Sequence, residues 1–278
     1  MYRAIDLRLR PPYKSFATTS FYQNLETRRE EGVVSQAAVQ RDMDLMIKEM
    51  DENNIVYGVA VARESEWGGA AKNSDLPGLL ADYPNRFIGM IHLQYGAEKD
   101  PLDSIDEYII NGPCTGVYIE PSFRFEKVLM HADDERLFPI YEKCQANNIP
   151  LILQYGGGVN SIEYYDPSDI YRLAEAFPKL KICISHGGWP QVMLMIQQAY
   201  AHENVYLSPD FYFAGWPGSQ DYVIAANTIL SKKIIFGSAF PCVSLPDALK
   251  IYLEAGVKEE NLDDILYGNA ARFLGLEE

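Results

Sequence analysis

The chain has 278 residues, 47% of them apolar, and carries 24 basic against 39 acidic side chains for a net charge of −15. That length suits one large α/β domain, residues 1–278, with enough core to be stable without staples. So negative a surface argues against nucleic acid or an anionic membrane as partner, and no apolar run reaches the ~20 residues of a membrane span.

The N-terminus, Met1-Tyr2-Arg3-Ala4-Ile5-Asp6, lacks the apolar stretch of a signal peptide. Cys114, Cys144, Cys183 and Cys242 show no metal or redox spacing. Both features point to a cytoplasmic protein with reduced thiols.

Ala4–Leu9 reads as the first strand, and Arg8 and Arg10 stand out in it against the acidic background. After it, Pro11–Gln40 is unusually long for a connection and reads as a lid across the mouth of the fold, with Tyr13, Phe16, Phe21 and Tyr22 as its packing residues. Helical periodicity follows at Asp42–Glu52, and then strand-like runs alternate with helical ones. The strands are expected at Tyr57–Ala62, Phe87–Leu93, Gly116–Glu120, Pro150–Tyr155, Lys181–His186, Val205–Ser208 and Ile234–Ser238. The helices between them are expected at Leu76–Tyr83, Ile105–Ile110, Arg136–Asn147, Ile170–Phe177, Gln191–Tyr200 and Tyr222–Leu230. Such alternation gives a parallel sheet with right-handed crossovers, and eight strands favour a closed (β/α)₈ TIM barrel. No Gly-x-Gly-x-x-Gly follows the first strand, which argues against a dinucleotide fold. The run Gly156-Gly157-Gly158 lacks the Lys-Ser/Thr of a phosphate loop and reads as a sharp turn at the barrel mouth.

Several separated motifs together resemble the amidohydrolase-related family. They are Met50-Asp51 with Asn54-Ile55, Asp133 to Tyr141 before Ile149 to Leu153, Ser185-His186-Gly187-Gly188-Trp189-Pro190, Phe236-Gly237-Ser238, and Gly268 to Leu274. The resemblance spans nearly the whole chain and implies a TIM barrel with its site at the C-terminal ends of the strands. In that family the first strand usually ends Asp-x-His-x-His, and two histidines grip a divalent metal. Here the run is Asp6-Leu7-Arg8-Leu9-Arg10, the fifth-strand histidine is replaced by Gln154, and the eighth-strand aspartate by Ala239. A guanidinium has no free lone pair, and a zinc site needs at least three protein ligands, so the motif positions cannot assemble one. No cofactor is expected. The alternative is a single divalent metal such as zinc on Asp6, Glu120, His186 and Asp210.

Arg8 and Arg10 are expected to point into the mouth as a clamp for a carboxylate, or else to pair internally with an acid such as Glu120. His186 has the pKa range of an acid or base, and Asp210 is either a base or a helix cap. Arg63, Tyr118, Gln154, Tyr155, Trp189 and Tyr212 complete the candidate substrate wall, with core or rim packing as the plain alternative for the aromatics. Cys242 is weighed as a thiolate nucleophile and set aside for want of an activating motif.

The resulting expectation is a metal-independent hydrolase opening a lactone or ester of a small anionic carboxylate. An isomerase, hydratase or decarboxylase on a similar carboxylate uses the same parts, and a non-catalytic carboxylate-binding barrel is the third reading. Association into a homo-oligomer stays open.

Overall fold

The computed structural model describes residues 2–23, 25, 34–65 and 69–276. Seven parallel strands pair in sequential order. They are β1 (Ala4–Leu9), β2 (Ile55–Val61), β3 (Phe87–His92), β4 (Gly116–Ile119), β5 (Leu151–Gln154), β6 (Ile182–Ser185) and β7 (Val205–Ser208). Helices alternate with them, among them Met43–Glu52, Leu76–Asp82, Phe138–Ala146, Pro167–Ala176, Val192–Ala201 and Leu245–Glu254.

Local chemistry starts these helices where they start. Asp42 accepts a hydrogen bond from Leu45 N at 3.0 Å, and Asp166 accepts one from Ser168 N at 2.9 Å with Pro167 opening the helix behind it. Most strand residues are buried, and β1 and β3 are buried from end to end, which is the pattern of a parallel sheet covered on both faces. Leu7, Val59, Met90, Ile152, Cys183 and Ile235 form one apolar cluster. A cluster that takes side chains from so many successive strands fills the lumen of a curled sheet. The larger cluster packs the helices onto its outside.

The eighth strand is the main correction. Ile234–Ser238 forms no regular strand; it touches its neighbours through single parallel bridges, Leu207 with Ile234 and Leu9 with Phe240. Ile235 N donates to Leu207 O at 2.8 Å and Leu7 N donates to Phe236 O at 3.1 Å, so the segment still closes β7 onto β1 and completes a TIM barrel. Gly237, followed by the positive φ of 57° at Ala239, breaks the extended run that its apolar side chains suggest.

Of the stretch Pro11–Gln40, positions 24 and 26–33 lie outside the described residues. The described part begins with a tight turn at Lys14–Thr18 and a helical turn at Ser20–Gln23. Phe16 and Tyr22 are buried, and the Tyr22 hydroxyl donates to Arg10 O at 2.6 Å. Among the described residues, no helix is long and apolar enough to cross a membrane.

Candidate active site

At the C-terminal ends of the strands lies a cavity of about 310 Å³. Its floor is cationic, with Arg8, Arg10 and Arg63, and its walls are aromatic, with Phe21, Phe123, Phe211, Tyr212 and Trp216. Gln154, His186, Ala239 and Cys242 complete the lining.

The arginines differ in their partners. Arg8 Nη1 donates to Asp210 Oδ2 at 3.1 Å, and Arg8 Nη2 donates to Gln154 Oε1 at 3.3 Å. Burial works against the Arg8 charge, but Tyr118 and Asp210 outweigh it and leave the guanidinium more basic than usual. Arg63 Nε faces Glu120 Oε2 at 2.9 Å, and its guanidinium carbon lies 4.0 Å from the centre of the Phe123 ring. The expectation that Glu120 would pair with Arg8 or Arg10 is therefore corrected: Glu120, one residue beyond β4, lies beside Arg63 from the end of β2. Burial alone would raise Glu120, yet the guanidiniums, Arg63 first and then Arg10, hold it below the usual carboxylate range.

Arg10 has no such partner. It is 2% exposed, and neither its Nε nor its Nη2 finds a hydrogen-bond partner among the described residues. Its guanidinium rests 4.8 Å from the centre of the Phe21 ring, and burial depresses its basicity. A buried cation without an anion is costly, and this one lines a cavity large enough for a single-ring molecule.

His186 and Asp210 meet at the end of β6. His186 Nδ1 lies 2.8 Å from Asp210 Oδ2. The nearby carboxylate favours the proton on Nδ1, although Nδ1 is out of line for a hydrogen bond, and leaves Nε2 as the other reactive nitrogen. Gly157 lies against that edge of the ring: a Cβ built on it would stand 3.6 Å from Nε2. Burial lowers the pKa of His186 against the pull of Asp210. The helix-cap reading of Asp210 does not hold, because its carboxylate makes no cap bond and turns to Arg8 and His186. His186, Asp210 and Ala239 all have left-handed backbone, with φ of 60°, 46° and 57°. Such non-glycine strain gathers where side chains must be aimed.

The remaining expected residues divide into support and packing. Tyr118 is fully buried beneath the cavity; its hydroxyl donates to Glu120 Oε1 at 2.9 Å and also meets Gln154 Oε1. Tyr155 is corrected to a core residue, because its hydroxyl is taken by Asp169 and its ring packs on Tyr165. Trp189 stacks on Tyr212 with ring centres 4.9 Å apart and donates to Pro217 O, which places it behind the wall. Gly156, with φ of 116°, lets this loop pass the backbone of Gly188, which a Cβ would meet at 2.7 Å.

Sequence reasoning missed Phe123, Phe211 and Trp216 as wall residues. Each sits in a loop or a single helical turn after a strand, where periodicity carries no signal, although Pro-Ser-Phe-Arg-Phe and Phe-Tyr-Phe-Ala-Gly-Trp are aromatic-rich at strand ends.

The four residues considered for a metal do not converge. Asp6 is spent on Ser238 N at 2.8 Å, the Ser238 hydroxyl and Arg8 N. Among the described residues, the groups of three or more that bring donor atoms together are His92–Glu120–Glu126 and His131–Asp133–Asp169. The positions that the resemblance marks for metal ligands hold Arg8, Arg10, Gln154, His186 and Ala239; the guanidiniums and the methyl group bring no lone pair, which leaves Gln154 and His186 as the donors there.

A family model described as amidohydrolase matches residues 22–276. The chain belongs to the amidohydrolase family. Similar to this family member is 2-amino-3-carboxymuconate-6-semialdehyde decarboxylase from Dictyostelium discoideum, 22% identical over 85% of this chain and 77% of that protein. An uncharacterized TIM-barrel protein from Bordetella bronchiseptica is 33% identical, with a TM-score of 0.91 over 98% of each chain. A dihydroxybenzoic acid decarboxylase from Polaromonas, solved with bound manganese and the inhibitor 2-nitroresorcinol, is 17% identical, with a TM-score of 0.70 over 100% of this chain and 98% of that one.

Proposed function

We propose that this amidohydrolase-family barrel is a carboxy-lyase that removes CO₂ from a small planar carboxylate, using fixed guanidinium charge where the family resemblance leads one to expect metal ligands. The observation that carries the reading is Arg10, a buried cation whose Nε and Nη2 find no hydrogen-bond partner among the described residues, set in an aromatic cavity beside the His186–Asp210 pair. The decarboxylase names of similar proteins support the reaction class over the hydrolysis expected from the sequence.

In this reading the aromatic walls sandwich the ring, and Arg10 receives the substrate oxygen on which negative charge collects. The leaving carboxylate lies against apolar faces, where a charged group is costly and neutral CO₂ is not. When the carbon–carbon bond breaks, its electron pair stays on the ring carbon. That carbon takes a proton from Nε2 of the histidinium form of His186, which solvent then reprotonates. Asp210 orients the imidazole and, through Arg8, fixes the cationic floor.

A second reading, hydrolysis of a lactone, is favoured by one detail: with the proton held on Nδ1, neutral His186 offers Nε2 as a base for water. One experiment separates the two. Purified protein treated with EDTA is incubated with carboxyl-labelled hydroxybenzoates and unsaturated acids, and with a lactone panel. Labelled CO₂ supports decarboxylation, a ring-opened acid without CO₂ supports hydrolysis, and activity strictly dependent on added metal sinks the metal-free part.

A further inference from the structure

Beside the cavity, His92, Glu120 and Glu126 bring three polar atoms to one point. His92 Nε2 lies 3.8 Å from Glu120 Oε2 and 3.7 Å from Glu126 Oε1, and the three atoms are all within 4.8 Å of one another. None of the three has a hydrogen-bond partner among the described residues, although His92 is only 1% exposed and Glu120 only 2%. Glu120 Oε2 is offset by the Arg63 charge at 2.9 Å, but His92 Nε2 and Glu126 Oε1 are left without a hydrogen bond, and such atoms cost enough that a partner is expected. The gaps are too long for direct hydrogen bonds, but a single small species seated just off the plane of the three atoms is within hydrogen-bond reach of each.

The imidazole decides which species. Glu64 N donates to His92 Nδ1 at 3.0 Å, so Nδ1 uses its lone pair there and the proton sits on Nε2. A protonated Nε2 cannot ligate a cation. It can donate to a water, and that water has two protons left for the two carboxylates. Burial, and then Glu120, pushes Glu126 up to about 7, and burial pulls His92 down to about 4, so the imidazole is neutral and a single donor at physiological pH.

We propose that His92, Glu120 and Glu126 hold one buried water, and that this water fixes Glu120 against Arg63 on the cavity wall. His92 and Glu126 are then positioning residues for substrate binding. Gln94 Nε2 anchors the far oxygen of Glu126, and Glu120 faces Arg63 Nε at 2.9 Å, so the water would join two carboxylates that are each already held on their other side. This role rests on the reading of the cavity as a carboxylate site.

The test uses the intact chain and benzoate as the probe. A high-resolution crystal structure is expected to show a peak at hydrogen-bond distance from all three atoms, without anomalous signal, and nitrogen NMR is expected to find the His92 proton on Nε2. Glu126→Leu is expected to weaken benzoate binding about fivefold or more, because a lost charge-assisted contact is worth ~1–2 kcal/mol, whereas Glu126→Gln, which keeps a polar atom facing the water, stays within about twofold. A cation at the site, a proton on Nδ1, or equal weakening by both variants overturns the proposal. Should Glu126→Leu not fold, the map and the tautomer of the unaltered protein decide. If the unaltered protein does not bind benzoate, the carboxylate reading fails, and the water site stands or falls on the map alone.

Discussion

Arg8 Nη1 and Asp210 Oδ2 stand 3.1 Å apart, 202 residues separated in sequence, and the same oxygen lies 2.8 Å from His186 Nδ1. One carboxylate therefore neutralises a fixed cation and orients a titrating ring. That double duty leaves Arg10 as the guanidinium available to a ligand.

Replacing Arg10 by Met should separate stability from binding. The variant loses charge-assisted hydrogen bonds to the substrate anion, worth about 1.5–3 kcal/mol, and so roughly 10- to 100-fold in affinity. Folding is expected to become firmer by on the order of 1 kcal/mol, because a buried charge with Nε and Nη2 unpartnered is removed. Urea unfolding and benzoate titration of the same sample check both. A variant that lost affinity and stability together would count against the proposed role.

Asp210→Asn should reduce turnover by about 10²–10³-fold, as expected when an oriented acid or base is lost. The pH profile is the sharper measurement. Burial already places His186 below its ordinary 6.5, and Asp210 is the largest influence raising it. If His186 donates the proton, kcat/KM falls as pH rises through its pKa, and the variant shifts that fall to lower pH. A rate that climbs with pH across the same window assigns His186 the base role and favours hydrolysis.

Asp6 links acidity to folding. Burial raises it from 3.8 to about 6, although Ser238 and Arg8 amides hydrogen-bond to it. Between those values the folded chain binds a proton that the unfolded chain does not, so this group adds stability as pH falls from about 6 toward 4 and none further below. Measured by urea unfolding at pH 7 and pH 5, the unaltered chain should gain on the order of 1 kcal/mol relative to Asp6→Asn. No relative gain, or a loss, would show that the carboxylate is not raised.

Ala239→Gly tests the backbone. Ala239 holds φ of 57°, which costs an alanine about 1–2 kcal/mol, whereas glycine gives back about 0.5–1 kcal/mol in chain entropy. A net gain of roughly 0.5 kcal/mol is expected in chemical denaturation. A clear loss of stability would mean that the methyl group's packing against the cavity matters more than its dihedral angle.

The fold was legible because its signals are local. β1 and β7 fall on the residues that apolar runs predict, and the intervening strands differ only at their ends. Ile234–Ser238 misled because its composition is strand-like while Gly237 and Ala239 bend it out of a ladder. The site was half legible. Strand-end position picked out Arg8, Arg10, His186 and Asp210 as a group. Which acid serves which base depends on approaches across the barrel that no spacing encodes: Asp210 went to Arg8 and His186, and Glu120 to Arg63. Tyr155 shows the converse, since strand position suggested the cavity but Asp169 captured its hydroxyl.

The polar contacts from Arg63 through Glu120, Tyr118, Gln154, Arg8 and Asp210 to His186 form one unbroken run around the mouth. Replacements along such a run do not act independently. Lineages that change substrate here are therefore expected to exchange these positions in sets, with the order of exchange constrained by which intermediate leaves a buried charge stranded.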